Sequence, residues 1–338
     1  MTKLCAIDLF SGCGGLSKGL EDAEINVSYA VELESRIAEV YKENHPKTVM
    51  INKDIRQITD AEFASLGKNV DLVAGCPPCQ GFTRINRNNA KSKFNDSRNT
   101  LILEYLRAIK IIRPKFIMME NVPEIVHFDK FDYTINELKK INYNVSYRII
   151  NVSDFGVPQN RKRLILVGSR VASVKLPTFN SKRTITVRDA IGDLKSPENT
   201  DDVLQKIHST HTQRILEIIK LIPKDGGSRM DLPKKYWLDC HKKKNVGFRD
   251  VYGRMSWDKP SPTITGGCLS PSKGRFLHPT QNRSISIREA SLLQGFPANY
   301  KFNPSYPKSL LAQMIGNAIP PQVAKAQGMY IVSLSASL

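Results

Sequence analysis

The sequence predicts an α/β protein: a mostly parallel sheet with helices on both faces, joined to a second, smaller, loop-rich domain. Three observations carry this. Strand-like and helix-like segments alternate through the first 170 residues. A glycine-rich turn follows the first strand-like run, and such sheets bind ligands beyond the carboxyl ends of their strands. From about residue 173 to 284 the text turns irregular, rich in Pro, Gly, Lys and Thr. The expected division is therefore 1–172, then 173–284, with 285–338 returning to the first domain.

Each element has a local reason. Apolar, β-branched runs at Lys3–Leu9, Val27–Val31, Val49–Ile51, Val70–Ala74, Phe116–Met119 and Leu164–Val167 read as strands. Thr100–Ile112 reads as a helix, because Leu101, Tyr105, Ala108 and Ile112 recur every three to four residues. In the irregular region one helix is expected over Val203–Leu221. Helical text returns at Ile287–Leu293 and Pro321–Leu334.

The 338 residues carry a net charge of +18, unevenly spread. Residues 1–150 hold 21 basic and 19 acidic side chains, whereas 151–285 hold 25 and 12. A basic region beside a near-neutral one points to a polyanion partner for part of the molecule. No apolar run reaches the roughly 20 residues that span a bilayer, and the N-terminus reads as a first strand rather than a signal peptide. The six cysteines are too sparse for a disulfide scaffold and read as reduced thiols of a cytoplasmic protein.

Two segments carry chemistry. Asp8-Leu9-Phe10-Ser11-Gly12-Cys13-Gly14-Gly15 lets the backbone turn tightly and approach a ligand. Glu32 ends the next strand and could bind a ribose diol; Asp54 follows the third and could read an adenine amine. The spacing is neither G-x-G-x-x-G nor a Walker pattern, though a nicotinamide cofactor or a purely structural turn also fits such a segment. Gly75-Cys76-Pro77-Pro78-Cys79-Gln80 follows a buried strand and puts a thiol where chemistry is expected. Its C-x-x-C spacing also admits redox and zinc readings, but there is no second C-x-x-C to complete a zinc site. An inert buried cysteine fits Cys5 and Cys76 better than Cys79.

Taken together, six ordered motifs resemble those of the DNA (cytosine-5) methyltransferases of restriction-modification type. They are the 8–15 turn, Pro77-Pro78-Cys79-Gln80, Glu120-Asn121-Val122, Gln159-Asn160-Arg161-Lys162-Arg163, Arg288-Glu289-Ala290 through Leu293-Gln294-Gly295-Phe296-Pro297, and Gly316-Asn317-Ala318-Ile319-Pro320. The resemblance covers 3–170 and 285–334, and the segment between matches the family's target-recognition region in position. It implies a Rossmann-like sheet that uses S-adenosyl-L-methionine, releases S-adenosyl-L-homocysteine and needs no metal. The implied cofactor pocket uses Phe10, Ser11, Gly12, Cys13, Gly14, Gly15, Glu32, Asp54, Pro78, Leu101 and Asn317.

Carbon 5 of cytosine is a poor nucleophile until something adds at carbon 6. A thiolate suits that step, being soft and reversible, and Cys79 is the candidate. Glu120 would hold a proton at ring nitrogen 3 and draw electron density toward it. By resemblance Arg163 binds the cytosine O2 and orients Glu120, while Arg161 supports the pocket or a phosphate. Both arginines would share a face if extended; a plain basic strand edge is the alternative. The target base must leave the duplex, at roughly a few kcal/mol. The polar stretch Thr83–Ser97 could close over DNA as a lid. Thr83, Arg84 and Arg87 there, Arg98 just after it, and Tyr252, Arg254, Thr265, Gly266, Lys273 and Arg275 in the basic region, are the candidate DNA contacts. Double-stranded DNA is the expected partner, for a monomer that serves a restriction endonuclease without binding it stably. Two rivals remain at this level. One is a tRNA cytosine-5 methyltransferase, favoured by Phe82-Thr83-Arg84-Ile85; the other is a basic DNA-binding protein with a vestigial fold.

Overall fold

The computed structural model describes residues 3–78, 100–179, 181, 183–242 and 250–338. Its strands are β1 (Cys5–Leu9), β2 (Asn26–Glu32), β3 (Val49–Asn52), β4 (Leu72–Gly75), β5 (Phe116–Asn121), β6 (Asn144–Asn151) and β7 (Lys162–Ser169). Helices α1 (Gly15–Asp22), α2 (Ser35–Asn44), α3 (Asp60–Leu66), α4 (Leu101–Ile112) and α5 (Asp129–Lys140) alternate with the first strands. Then follow α6 (Val187–Ile191), α7 (Val203–Lys206), α8 (Gln213–Leu221), α9 (Ile287–Leu293), α10 (Lys308–Asn317) and α11 (Pro321–Ala336). Among the described residues no helix is long and apolar enough to cross a membrane.

The chain forms two compact units. The first takes Met1–Phe155, Lys162–Asn180 and Ile319–Leu338; the second takes Gly156–Arg161 and Ser181–Ala318. In the first unit one seven-stranded sheet runs in the order β3-β2-β1-β4-β5-β7-β6. β3 through β5 pair in parallel, whereas β7 runs antiparallel to both β5 and β6. The direction of winding reverses between β1 and β4, and ligands of such sheets bind at that reversal. β4 and β5 are buried along their whole length, which is why they read as unbroken apolar runs. α4 buries Leu101, Ile102, Tyr105, Leu106, Ala108 and Ile109 and ends at Arg113, which is left-handed (φ 55°) just before Pro114.

All six expected strands are present, shifted at most by two residues at either end. The seventh, β6, is an edge strand of mixed polarity whose residues are mostly half-buried or exposed, so the sequence gives it little apolar signal. The helix expected over Val203–Leu221 is two helices, broken by the polar run Ile207-His208-Ser209-Thr210-His211-Thr212. Its hydroxyls and rings favour local turns over helix.

The chain rejoins the first unit at Ile319, not near 285. Helices α9 and α10 belong to the second unit because their buried groups are satisfied there. Glu289 of α9 accepts both Nη atoms of Arg283 (2.8 and 2.6 Å) and the amide of Gln205 (2.9 Å), all buried. Ser286 caps α9 in a reciprocal box with Glu289.

In the first unit α11 lies against α1 through small residues. A Cβ on Gly19 would sit 2.3 Å from Pro321 O and 2.4 Å from Ala324 Cβ. Gly19→Ala is therefore expected to destabilise this unit by roughly 1–3 kcal/mol, the usual range for overpacking. Urea unfolding followed by circular dichroism checks it; an unchanged midpoint would show that the helices are not in close contact.

Candidate active site

The glycine-rich turn is shaped by backbone that most residues resist. Phe10, Gly12 and Gly14 all have positive φ (61°, 56° and 96°). Glycine adopts this freely, but Phe10 pays in strain of about 1–3 kcal/mol. Its half-buried ring packs against the core of the first unit. The Ser11 amide donates to Val31 O (3.0 Å) and the Gly12 amide to Glu32 Oε2 (2.9 Å). Glu32 Oε1 accepts the Glu34 amide (2.9 Å), so one carboxylate fixes the turn to the end of β2. Burial pushes the Glu32 carboxyl above its ordinary range, against the pull of those amides. Cys13 is buried, and burial pushes its thiol up to about 12, so it is inert. Gly15 opens α1.

Beneath the turn lies a buried chain that sequence reasoning missed. Ser17 Oγ donates to Asp8 Oδ2 (2.6 Å), which leaves the Tyr41 hydroxyl as donor to Ser17 Oγ (2.6 Å). Burial is the main cause that lifts the Asp8 carboxyl to about 7. Asp8 Oδ1 and Ser11 Oγ are buried and have no hydrogen-bond partner among the described residues. Two orphaned polar atoms beside a strained turn at the sheet's reversal point fit a polar ligand there, and the amino-acid end of S-adenosylmethionine has suitable groups. No sequence signal marked Ser17 or Tyr41, since the contact exists only once α1 and α2 pack on the sheet.

Other expected cofactor residues stand as follows. Asp54, just past β3, accepts the Arg56 amide (3.0 Å) and its guanidinium (Nη2 at 2.5 Å). The Arg56 side chain and amide hold its carboxyl below the usual range, against a smaller opposing effect of burial. Leu101 is buried at the start of α4, and Pro78 is half-buried. Asn317 is exposed at the end of α10 in the second unit.

Glu120 is the fifth residue of β5 and is buried. Arg163 Nε lies 2.9 Å from its Oε1, with both side chains largely shielded from solvent. On the other side, Gly75 of β4 is in register with Met119, which brings the next residue, Cys76, beside Glu120. Burial first, then the Glu120 charge, pushes the Cys76 thiol well above its ordinary value. Asn121 Nδ2 donates to Pro77 O (2.9 Å), tying the Pro-Pro segment to the end of β5. Cys79, with Thr83, Arg84, Arg87, Arg98 and the rest of 79–99, lies outside the described residues.

In the second unit several expected roles change. Arg161 lies before β7, not in it, so it does not share a strand face with Arg163. It is buried, and its Nη1 donates to Ile264 O (2.7 Å) and Gly316 O (2.9 Å). This staples the Thr263–Gly267 segment to the end of α10 and leaves no route to a phosphate. Arg254 is fully buried, its guanidinium spent on Ile219 O, Ile222 O, His278 O, Gln281 O and Asn282 Oδ1. Burial lowers it to about 10. Tyr252 is buried in an apolar cluster with Ile219 and Leu277. Neither faces solvent, which corrects their expected place at DNA. Arg275 donates to Gly226 O (2.7 Å) and Arg254 O (2.9 Å), so it too braces the backbone. Gly266 and Lys273 are exposed and Thr265 half-buried, so these three remain available.

Comparison with known proteins agrees with the motifs. The model of the C-5 cytosine-specific DNA methylase family matches residues 4–333. The type II methylase M.HgiDII of Herpetosiphon aurantiacus is 36% identical over 330 residues, covering 93% of this chain and 91% of the relative. The type II methyltransferase M1.HphI of Haemophilus parahaemolyticus is 32% identical, covering 96% and 85%. The Entamoeba histolytica methyltransferase EhMeth has the same fold (TM-score 0.70, 19% identity, 100% and 99% covered).

Two predictions follow from the buried groups. Asp8 binds its proton more tightly in the native state (about 7) than in the unfolded chain, where a carboxyl of its kind titrates at 3.8. Its contribution is therefore complete below about pH 4 and is lost as pH rises through about 7, on the order of a few kcal/mol in all. Asp8→Asn should flatten the fall in denaturation midpoint between pH 4 and 7 relative to the wild type; parallel curves would refute the shift. Arg254→Ala should destabilise by roughly 3–5 kcal/mol, because at least five acceptors lose one donor group. If instead it left thermal unfolding unchanged and only weakened DNA binding, the buried assignment would be wrong.

Proposed function

The chain belongs to the C-5 cytosine-specific DNA methylase family, and from that premise we propose how its own residues carry the reaction. The protein is a DNA (cytosine-5) methyltransferase that uses S-adenosylmethionine. When bound, that cofactor supplies an electrophilic methyl group to the activated ring.

Cys79 is the nucleophile and adds through its sulfur to cytosine carbon 6. Glu120 sits at ring nitrogen 3 and holds a proton there as electrons move into the ring. Arg163, ion-paired to Glu120 Oε1, orients that carboxyl and donates to the cytosine O2. After methyl transfer a base removes the proton on carbon 5, the carbon–sulfur bond breaks, and Cys79 leaves as a thiolate. Phe10 to Gly15, Glu32, Asp54, Pro78, Leu101 and Asn317 line the cofactor pocket. The orphaned Asp8 Oδ1 and Ser11 Oγ support this, as groups awaiting a partner.

The second unit recognises the target. Its charge supplies affinity through phosphates, and loops at Thr265, Gly266 and Lys273 are left to read bases, together with Thr83, Arg84, Arg87 and Arg98. The enzyme works as a monomer on chromosomal DNA in the cytoplasm. It protects sites from a cognate restriction endonuclease, a role supported by its likeness to type II methylases.

The observation that carries this reading is the shielded Glu120–Arg163 pair at the end of β5, next to the strand that leads into Cys79. Cys79→Ser should lose roughly a thousandfold or more in methyl transfer to duplex DNA while still binding it. DNA with 5-fluorocytosine at the target, mapped by bisulfite sequencing, should trap the wild type covalently. Retained activity in Cys79→Ser, or methylation of tRNA but not DNA, would overturn the reading.

A further inference from the structure

Gln159 takes no part in the proposed reaction, yet its side chain is fully buried and bonded at both ends. Its Oε1 accepts the Ile264 amide (2.8 Å), and its Nε2 donates to Leu293 O (3.2 Å) and Gln294 Oε1 (2.8 Å). Gln294, equally buried just after α9, passes the chain on by donating to Ala318 O. The two backbone ends fix both carboxamides, since the Ile264 amide can only donate and the Ala318 carbonyl can only accept. Backbone bonds zip the same segments together: Ser261 N donates to Pro158 O (2.9 Å) and Asn160 N to Ser261 O (2.8 Å). Ile264 is thus held through its amide by Gln159 and through its carbonyl by Arg161. The next residues form a tight turn, in which Cys268 N donates to Thr265 O (3.0 Å). That turn rests directly on α10, where a Cβ on Gly316 would lie 2.2 Å from the Thr265 carbonyl carbon.

We propose that Gln159 is a positioning residue that determines specificity: by holding the Ile264 amide it aims the 265–267 turn at the base edges it reads. The inference rests on the reading of that turn as part of the base-reading surface. Telling one base edge from another needs groups placed to within roughly 0.5 Å. Two of the three residues in this turn are glycines, which hold no shape unaided. The shape must therefore be imposed from behind, and the bonded chain from Ile264 through Gln159 and Gln294 to the end of α10 imposes it. A carboxamide suits the place because it accepts and donates at once. A glutamate would satisfy the Ile264 amide but face the Leu293 and Gln294 oxygens with no proton to give.

The test compares Gln159→Met, Gln294→Met and Arg254→Lys on duplexes that carry the target site, mapped by bisulfite sequencing, and on duplexes with one base pair of it changed. Gln159→Met should lower kcat/KM on the correct site roughly tenfold, the scale of one good hydrogen bond, and leave the altered duplexes as they were. Discrimination falls by the same factor, while KM for S-adenosylmethionine stays at the wild-type value. Gln294→Met keeps the Ile264 and Leu293 bonds of Gln159, so it should act in the same direction but more weakly. It carries the test if Gln159→Met does not fold. Arg254→Lys disturbs buried bonds of the same unit to residues 219, 222, 278, 281 and 282. It should lose thermal stability with discrimination intact. Wild-type discrimination in folded Gln159→Met or Gln294→Met, or an equal loss in Arg254→Lys, would overturn the proposal and leave only a packing role. If Thr265→Ala combined with Lys273→Ala kept full discrimination, the reading of the turn would fall instead, whatever Gln159→Met did.

Discussion

A carboxylate at the end of a buried strand is shielded from water, and a shielded charge needs a partner. That requirement explains why β7 runs antiparallel between β5 and β6. In an antiparallel pair the start of one strand lies beside the end of the other. Arg163, the second residue of β7, thereby meets Glu120, the fifth of β5. A seventh strand added in parallel would have carried Arg163 to the opposite edge of the sheet. The β6–β7 hairpin thus places a cation beside the buried Glu120 carboxyl at the end of β5.

The second unit shows a different use of charge. Its described part has no strands, only isolated bridges and short helices, so much of its backbone must find partners outside regular ladders. Buried arginines supply many of them. Arg161 holds the Ile264 and Gly316 carbonyls, Arg254 gathers the 219–222 and 278–282 segments, and Arg283 pairs with Glu289 under α9. The guanidinium suits this role because its planar fork donates in several directions at once. Gly316 adds a steric condition, since a Cβ there would lie 2.2 Å from the Thr265 carbonyl carbon. The regional excess of basic residues is therefore only partly a DNA-facing surface; some of it is internal framework.

The motifs of the first unit were legible because their signals are local. Asp8 to Gly15, Pro77 to Gln80 and Glu120 to Val122 each follow a strand, and the residue types at those positions already state a tight turn, a rigid thiol and a carboxyl. What stayed hidden depends on contacts between distant segments. Ser17 and Tyr41 are unremarkable in sequence, yet they share one hydrogen-bonded chain with Asp8. Cys76 read as an inert thiol, and only register sets it beside Glu120. Arg254 and Tyr252 looked like DNA contacts because a sequence reports charge and ring but not the direction a side chain takes. The contact-based return at Ile319 was not legible for the same reason: α9 has a helical pattern, and a pattern does not say which unit will bury it.

By itself the sequence determined the alternation of strands and helices, the family motifs and their order, since periodicity and short motifs are properties of neighbouring residues. Only the tertiary structure decided which arginine meets a carboxylate and which meets carbonyls, which cysteine lies against Glu120, and where the chain rejoins its first unit. Those outcomes follow from strand order, register and burial, which bring together groups far apart along the chain and fix their charge only after water has been excluded.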